Sequence, residues 1–436
     1  MPLSPLLIYL LPLASVVVGY LIVRSWRDRV ARERVLEADR ANLREPPTLH
    51  PIIDPAKCLG CGACVNACPE GDVLGLVSGK SVLIQGANCI GHGACKSACP
   101  FDAIELVFGT AKRGVSIPAL TEEFETTVPG VFVAGELGGM GLIKNAITQG
   151  VQAVSGICRY LNAQSDKGTG VDLCIVGAGP AGMAAALEAK SQGLSSLILE
   201  QAESLGGTVA NFPRRKIVMT APVELPLVGK IRFKETHKER LIELWNTIFQ
   251  EHDLQVRFEQ KMESIDVMPD GFRLITSQGE FFARSVLLAM GRRGSPRKLD
   301  VAGEDHHKVS YRLIDPADYQ DEDVLVVGGG DSAIEAACSI AEINPGRVTL
   351  AYRGTNFTRA KLKNRDKVQN LSEQNRLSVR FESEVSRITE DAVFLMCKGE
   401  EIELKNDAVI VCVGGVLPTK ILQSVGVSVE MKYGTP

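Results

Sequence analysis

Cysteines at positions 58, 61, 64 and 68, the last followed by Pro69, spell C-x2-C-x2-C-x3-C-P. Thiolates at that spacing wrap an iron–sulfur cubane and send the fourth cysteine to a partner cluster. The pattern recurs at Cys89, His92, Cys95 and Cys99, again before a proline, with histidine in the second place. Zinc is the competing reading of clustered cysteines, but four ligand positions per motif and the trailing proline tell against it. His92 leaves the second motif open. Imidazole is a competent iron ligand and would raise the potential by replacing a thiolate. Otherwise His92 stands beside a three-iron cluster, or the second cluster is lost.

A second chemistry is written in residues 171–200. An apolar run ends in Gly177-Ala178-Gly179-Pro180-Ala181-Gly182, an Ala-rich helical pattern follows, and a second apolar run closes on Glu200. Strand, glycine turn, helix and strand in that order form a dinucleotide site. Gly177 permits the turn, Gly179 admits the pyrophosphate and Gly182 lets the helix lie close to the sheet. The pyrophosphate sits at the positive end of the helix, and Glu200 stands where a carboxylate accepts ribose hydroxyls. Residues 323–337 repeat the unit, with Gly328, Gly330 and Ala333 in the turn positions and Asp331 and Ser332 between them. The next strand leads to Arg353 rather than to a carboxylate, and Arg359, Lys361, Lys363 and Arg365 follow. Basic groups there favour a ribose 2′-phosphate, hence NADPH over NADH, against the bland reading of a solvated basic face.

These motifs need elements to hold them. The chain of 436 residues has room for about three domains, and its ordinary formal charge of −4 gives no reason to expect a nucleic-acid partner. Seven of the twelve cysteines fall within residues 58–99 at metal-ligand rather than disulfide spacing, which places the chain in a reducing compartment. Cys158, Cys174, Cys338, Cys397 and Cys412 are scattered singly through apolar stretches and read as packing residues. Residues 2–23 carry no charge, enough for a bilayer-spanning helix, and Arg24, Arg27, Arg29, Arg32 and Arg34 follow against only Asp28 and Glu33. The positive-inside bias puts the rest of the chain in the cytoplasm, with Tyr20 and Trp26 suited to the interface. A cleaved signal peptide is the alternative, and it lacks its positive n-region here.

The cysteine repeat resembles the bacterial two-cluster ferredoxins. That resemblance implies crossed ligation: Cys58, Cys61, Cys64 and Cys99 on one cluster, and Cys89, Cys95, Cys68 and His92 around the other. Residues 108–436 resemble the thioredoxin-reductase-like flavoproteins, and more closely those lacking the redox disulfide, such as bacillithiol-disulfide-reductase-like proteins and ferredoxin–NADP reductases of that fold. The resemblance implies FAD, with Gly207 and Thr208 along the flavin and Gly291 at the crossing between domains. It also implies that residues 128–136 bind the ribityl and pyrophosphate through Gly135 and Glu136. That last segment closes the chain in the family but precedes Gly177 here, so a circular permutation is expected; a vestigial duplicate is the alternative. The family's C-x-x-C is missing, since residues 308–320 contain no cysteine.

The expected architecture is α/β: two Rossmann-like dinucleotide-binding domains, a small α+β ferredoxin-like domain and an N-terminal transmembrane helix. The boundaries are a span at 3–23, a charged linker at 24–48 that reads as helical to residue 45 and is ended by Pro46-Pro47, the ferredoxin-like domain at 49–107 and the displaced segment at 108–164. The FAD domain follows at 165–295, the NAD(P) domain at 296–415 and a return to the FAD domain at 416–436. The expected function is electron transfer between NADPH, FAD and two iron–sulfur clusters towards an unnamed protein or small-molecule acceptor. No general base is evident, and hydride transfer needs none. The expected location is single-pass in the cytoplasmic membrane, and a homodimer stays open. A low-molecular-weight disulfide reductase, or a non-enzymatic redox sensor or electron-transfer subunit, is the alternative.

Overall fold

A computed structural model describes the chain apart from residues 1–4, 41–45, 47–48, 90, 92, 112–113, 140, 165–167, 220–221, 234, 293–294, 358–359, 417 and 436. The chain divides into two compact units, residues 1–114 with 432–436, and residues 115–431.

In the first unit, helix α1 (Pro5–Arg40) runs unbroken into the charged stretch, which was expected to be helical. Ala31 and Ala38, two turns apart and so on one face, are buried. They explain how a helix this charged is held. A Cβ added to Gly75 would sit 3.3 Å from that of Ala31, so helix and sheet touch where both are small. Within α1 side chains are described from Pro12 onward, and among the described residues no helix is long and apolar enough to cross a membrane. The span expected at 3–23 is therefore not met there.

Strand β1 (His50–Ile53) pairs antiparallel with β4 (Ile104–Val107), and β2 (Leu74–Val77) forms a hairpin with β3 (Lys80–Leu83). Helices α2 (Ala63–Ala67) and α3 (Ala94–Ser97) each carry one motif cysteine inward, and Cys64, Cys89 and Cys95 share the core with Val73, Leu74 and Ile104. The internal repeat is visible in the backbone. Gly60 and Gly62 flank position 61 with φ of +69° and +78°, and Gly91 and Gly93 flank position 92 with +77° and +75°. Only glycine enters that region at little cost.

The second unit opens with β5 (Val115–Pro118), β6 (Val131–Val133) and helix α4 (Ile143–Ala163). Then come β7 (Val171–Val176), α5 (Pro180–Ser191) and β8 (Ser196–Leu199). Short ribbons pair β9 (Ile217–Met219) with β12 (Glu235–His237), and β10 (Val223–Leu225) with β11 (Gly229–Ile231). Helix α6 (Lys238–Glu251) leads to β13 (Val256–Arg257), β14 (Met262–Met268), β15 (Gly271–Thr276) and β16 (Gly279–Leu288). The sheet order is β13-β8-β7-β16-β15-β14. Strand β6 pairs in parallel with the last residues of β16, Val131 opposite Val286 and Val133 opposite Leu288. A strand placed before β7 in the chain thus lies on the far side of β16 from it. Side chains alternate across this sheet. Phe132, Leu173, Ile175 and Leu287 pack under α4, α5 and α6, while Val131, Val133, Cys174, Val176 and Leu288 fill the opposite core with Leu422 and Val425.

Strand β17 (Ser295–Pro296) leaves this sheet and pairs antiparallel with β26 (Gly415–Val416), so the two crossings between domains lie side by side. Between them stand β18 (Val309–Ser310), β19 (Val324–Val327), α7 (Asp331–Ile343), β20 (Val348–Tyr352), α8 (Leu362–Glu373) and β21 (Leu377–Phe381). A meander of β22 (Ser383–Ile388), β23 (Ala392–Cys397) and β24 (Glu400–Lys405) precedes β25 (Ala408–Val411). The parallel order is β18-β25-β19-β20-β21. Helix α9 (Thr419–Val425) and β27 (Val429–Lys432) finish the chain, and β27 pairs with β5. The first unit runs to Gly114, and within it Phe108 bridges to Thr435 near the C-terminus.

Candidate functional site

Cys58, Cys61, Cys64 and Cys99 line a single cavity, together with Ile53, Leu59 and Phe101. The first three come from one loop and the start of α2; the fourth comes from the second motif, half the domain away in sequence. Among the described residues no group of three or more His, Cys, Asp or Glu side chains is gathered tightly enough for a single metal ion. Lys80 Nζ donates to the Cys58 carbonyl at 2.6 Å, and the backbone N–H of Ser81 donates to Cys58 Sγ at 3.4 Å. An N–H donated to a ligating sulfur is a contact that tunes an iron–sulfur cluster.

The remaining motif cysteines keep each other's company. Burial pushes the Cys95 thiol up to about 11, with the charges of Cys89 and Cys68 adding to it. Burial raises Cys89 as well, with Cys68 contributing, and raises Cys68. Three thiols packed this closely ionise readily only beside compensating positive charge. His92 lies outside the described residues.

At the first glycine turn, the backbone carries the site. A Cβ on Gly182 would stand 2.0 Å from the Gly177 carbonyl oxygen, so α5 lies against β7 as only glycine allows. Gly179 caps α5 without a side-chain bond, Pro180 takes the first helical position, and an added Cβ at Gly179 would meet no protein atom within 4 Å. The N–H groups of Ala181 and Gly182 thus lack helical partners beside open space, which suits a pyrophosphate. Glu200 is buried, its Oε2 accepting from the Ala178 N–H at 2.7 Å and its Oε1 from the Ala202 N–H at 2.9 Å. It therefore braces the turn, and each oxygen keeps a lone pair for a ribose hydroxyl.

Distant segments converge on this turn. Added Cβ atoms on Gly207 and Gly135 would lie 3.2 Å from Gly179 Cα and 3.1 Å from Ala181 Cβ, and one on Gly291 would lie 3.8 Å from Thr208 Oγ1. Glu136, half-buried, sits over Gly141, whose added Cβ would lie 3.7 Å from Glu136 Oε1. The cradle fits a flavin dinucleotide. Sequence reasoning missed Gln149, a buried side chain of α4 whose Oε1 accepts from the Gly135 N–H at 2.8 Å. A glutamine on the apolar face of an amphipathic helix was the signal.

The second turn has the same build. A Cβ on Gly328 would meet the Cys412 carbonyl at 2.4 Å, Gly330 opens onto free space, and Ala333 is fully buried. Asp331 Oδ1 accepts from the Lys361 N–H at 2.9 Å and from Asn364 Nδ2 at 2.7 Å, tying α8 to the turn, and Ser332 is exposed. Arg353 is exposed at the end of β20; Arg359 lies outside the described residues. Tyr352 was also missed. Its ring lies over Gly329 and Gly354, where an added Cβ on either would collide with it. Asn364 Nδ2 reaches on to Glu335 Oε1 at 3.3 Å, and Glu335 pairs with Lys216 of the flavin-domain loop.

All twelve cysteines are free. Burial raises Cys174 far above the usual thiol range and Cys338 to about 11, as expected of packing residues.

Residues 174–436 match the model of the pyridine nucleotide-disulphide oxidoreductase family, and residues 50–100 match the 4Fe-4S dicluster domain. A ferredoxin–NADP reductase of Streptococcus pneumoniae is 31% identical over 188 residues, 43% of this chain and 55% of the relative. Bacilliredoxin reductase Bdr of Bacillus subtilis is 25% identical over 269 residues, 60% of this chain and 82% of the relative. Among solved structures, the bacillithiol disulfide reductase of Staphylococcus aureus superposes with a TM-score of 0.53 at 26% identity, over 60% of this chain and 81% of that one. The chain thus spans only about half the length of the ferredoxin–NADP reductase it matches.

Proposed function

Since this chain belongs to the pyridine nucleotide-disulphide oxidoreductase family, we propose that it is an NADPH-dependent flavoenzyme whose electrons run to iron–sulfur clusters held in the same chain. The observation that carries the reading is the cavity lined by Cys58, Cys61, Cys64 and Cys99 in a protein with two dinucleotide turns. Residues 308–320, where thioredoxin reductases carry their C-x-x-C, contain no cysteine, so an electron path to the iron–sulfur clusters is favoured over one to a dithiol at that place.

When bound, the cofactors supply the chemistry: nicotinamide and flavin exchange hydride, and iron–sulfur centres carry single electrons. The protein's part is to hold and orient them. Ala181 and Gly182 would present N–H groups to the flavin pyrophosphate in a turn shaped by Gly177, Gly179 and Pro180, Glu200 and Glu136 would take hydroxyls, and Gly207, Thr208, Gly135 and Gly291 would leave room for the rings. Gly328, Gly330, Asp331, Ser332 and Ala333 would do the same for the nicotinamide dinucleotide, with Arg353 and Arg359 on its 2′-phosphate. Cys68, Cys89 and Cys95 would hold a second cluster, either four-iron with His92 or three-iron without it.

The flavin domain reads as circularly permuted. Strand β6 precedes β7 in sequence but joins the sheet beyond β16, and the C-terminal β27 pairs with β5, so the present end of the chain meets the displaced segment. The N-terminal half of α1 reads as a membrane anchor, with the remaining chain on the cytoplasmic side. Residues 2–23 are uncharged, and Leu13, Val16, Val17, Val18, Leu21, Ile22 and Val23 are exposed on the helix. Apolar side chains left in water around a helix favour lipid or a partner over solvent.

A second reading, a low-molecular-weight disulfide reductase, draws on the names of the Bacillus and Staphylococcus relatives. Anaerobic NADPH titration, following flavin absorbance and cluster EPR together, separates the two. Flavin bleaching followed by cluster signals is expected. Bleaching with silent clusters would move the disulfide reductase ahead, and no bleaching would sink the NADPH assignment.

A further inference from the structure

The charged half of α1 is clamped along the β2–β3 hairpin, and the clamp fixes the height of the first cysteine cavity above the apolar half. The backbone N–H of Ser78 donates to Asp28 Oδ1, Arg32 Nη2 donates to Ser78 Oγ at 2.9 Å, and Arg32 Nε is held by Asp28 at 2.7 Å. Lower on the helix, Arg24 Nη2 would lie 3.1 Å from a Cβ on Gly79. Higher up, Arg34 pairs with Asp72, so β2 descends along α1 with the hairpin turn pointing to the helix's apolar end. That turn touches the cavity: a Cβ on Gly60 would fall 2.0 Å from the Gly79 carbonyl oxygen, and Lys80 holds the Cys58 carbonyl.

Asp28 lies five residues past Val23, about 7 Å along a helix rising 1.5 Å per residue. The polar layer on each side of a bilayer is about 5–7 Å thick, from a total of about 40–45 Å around a core of about 30 Å. With Val23 at the edge of the hydrocarbon, as the anchor reading has it, the hairpin turn would stand at headgroup level. Beside it, the cavity rim presents Leu59 at 66% exposure and Phe101 at 41%, apolar groups with no place in water. Arg27 and Arg29 are exposed on the same stretch of helix and complement anionic lipid.

We infer that the rim of the Cys58/Cys61/Cys64/Cys99 cavity, with Leu59 and Phe101, rests in the headgroup layer of an anionic bilayer. A redox partner of this cavity then meets it at the membrane surface. The inference rests on the anchor reading of α1, and its test keeps the two apart.

The full-length holoenzyme is reconstituted in phosphatidylcholine–phosphatidylglycerol vesicles containing a lipid whose headgroup chelates Gd3+, with La3+ as the diamagnetic control. Vesicle flotation reports the anchor. Power saturation of the reduced-cluster EPR signal reports the rim, the first cluster's signal being the one that Cys61→Ser alters. The expected result is flotation, with a several-fold rise in half-saturation power for the first cluster under Gd3+ relative to La3+. Flotation with identical saturation under both ions overturns the inference and leaves the anchor standing. Failure to float overturns both. Asp28→Ala, which frees the hairpin turn, is expected to lower the Gd3+ effect while flotation and iron content persist. An undiminished effect would show that the clamp does not set the height, and the wild-type comparison decides even if this variant loses iron.

Discussion

Two glycines three residues apart separate what a turn needs in order to fold from what it needs in order to bind. A methyl group at Gly182 runs into the Gly177 carbonyl, whereas one at Gly179 enters open space beside the uncapped end of α5. Gly182→Ala is therefore expected to cost about 1–3 kcal/mol from overpacking and to lose flavin. Gly179→Ala is expected to keep the melting temperature of the flavin-free protein and to lose flavin just the same. Thermal melts of flavin-stripped protein and the flavin-to-protein ratio check this; equal melting losses in both would contradict it. Arg353 offers a second test. If it faces the 2′-phosphate, Arg353→Ala should raise KM for NADPH roughly 10- to 100-fold, the worth of one charged hydrogen bond at about 1.5–3 kcal/mol. KM for NADH should hardly move, and a parallel rise would make Arg353 part of a solvated face.

Among the elements, the nicotinamide sheet is tied at its base by Asp323, at the start of β19. Arg347 grips this carboxylate through Nε at 2.9 Å and Nη2 at 3.1 Å, and Lys405 approaches at 3.2 Å. Its carboxyl is held below the usual range chiefly by the hydrogen bond from Arg347. A depressed carboxyl stabilises the fold above its unfolded value of about 3.9, and that contribution is lost as pH falls through the lower folded value. At pH 7 Asp323→Asn is expected to cost about 1 kcal/mol, the upper end for a partly exposed pair. Denaturant titrations should show the gap closing as pH drops below the unfolded value, and a gap that stays constant in acid would refute the assignment. The elements themselves were largely legible in sequence, because strand–turn–helix units announce themselves by glycine spacing and by a change of apolar period. Gln149, Tyr352 and the Lys216–Glu335 pair were not, since each acts on a partner far away in sequence. The packing of the charged half of α1 was not legible either: only Ala31 and Ala38 among its charges mark the face that packs, and their partner Gly75 shows no pattern of its own.

For the whole molecule, the order of segments is the unusual property. Strand β27 pairs with β5, so a chain running 165–431 and then, through a short turn, 115–163 keeps every strand of the flavin sheet in place. Such a rearranged protein, without the cysteine motifs, is expected to fold and to bind FAD at one equivalent. Circular dichroism and flavin stoichiometry test it, and an insoluble or flavin-free product would count against the permutation. Deleting 115–163 outright should instead leave the edge of β16 bare and the protein prone to aggregate.

That order also has a temporal side. Val131 to Val133 leave the ribosome about 155 residues ahead of the segment of β16 they pair with, a delay of roughly 10–30 s at 5–20 residues per second. In an unpermuted relative the same strand would arrive last, onto a sheet already formed. Here three wholly apolar residues must wait uncovered while about a third of the chain is made, so, on the permuted reading, this protein is expected to lean on chaperones during translation more than relatives in which that strand comes last.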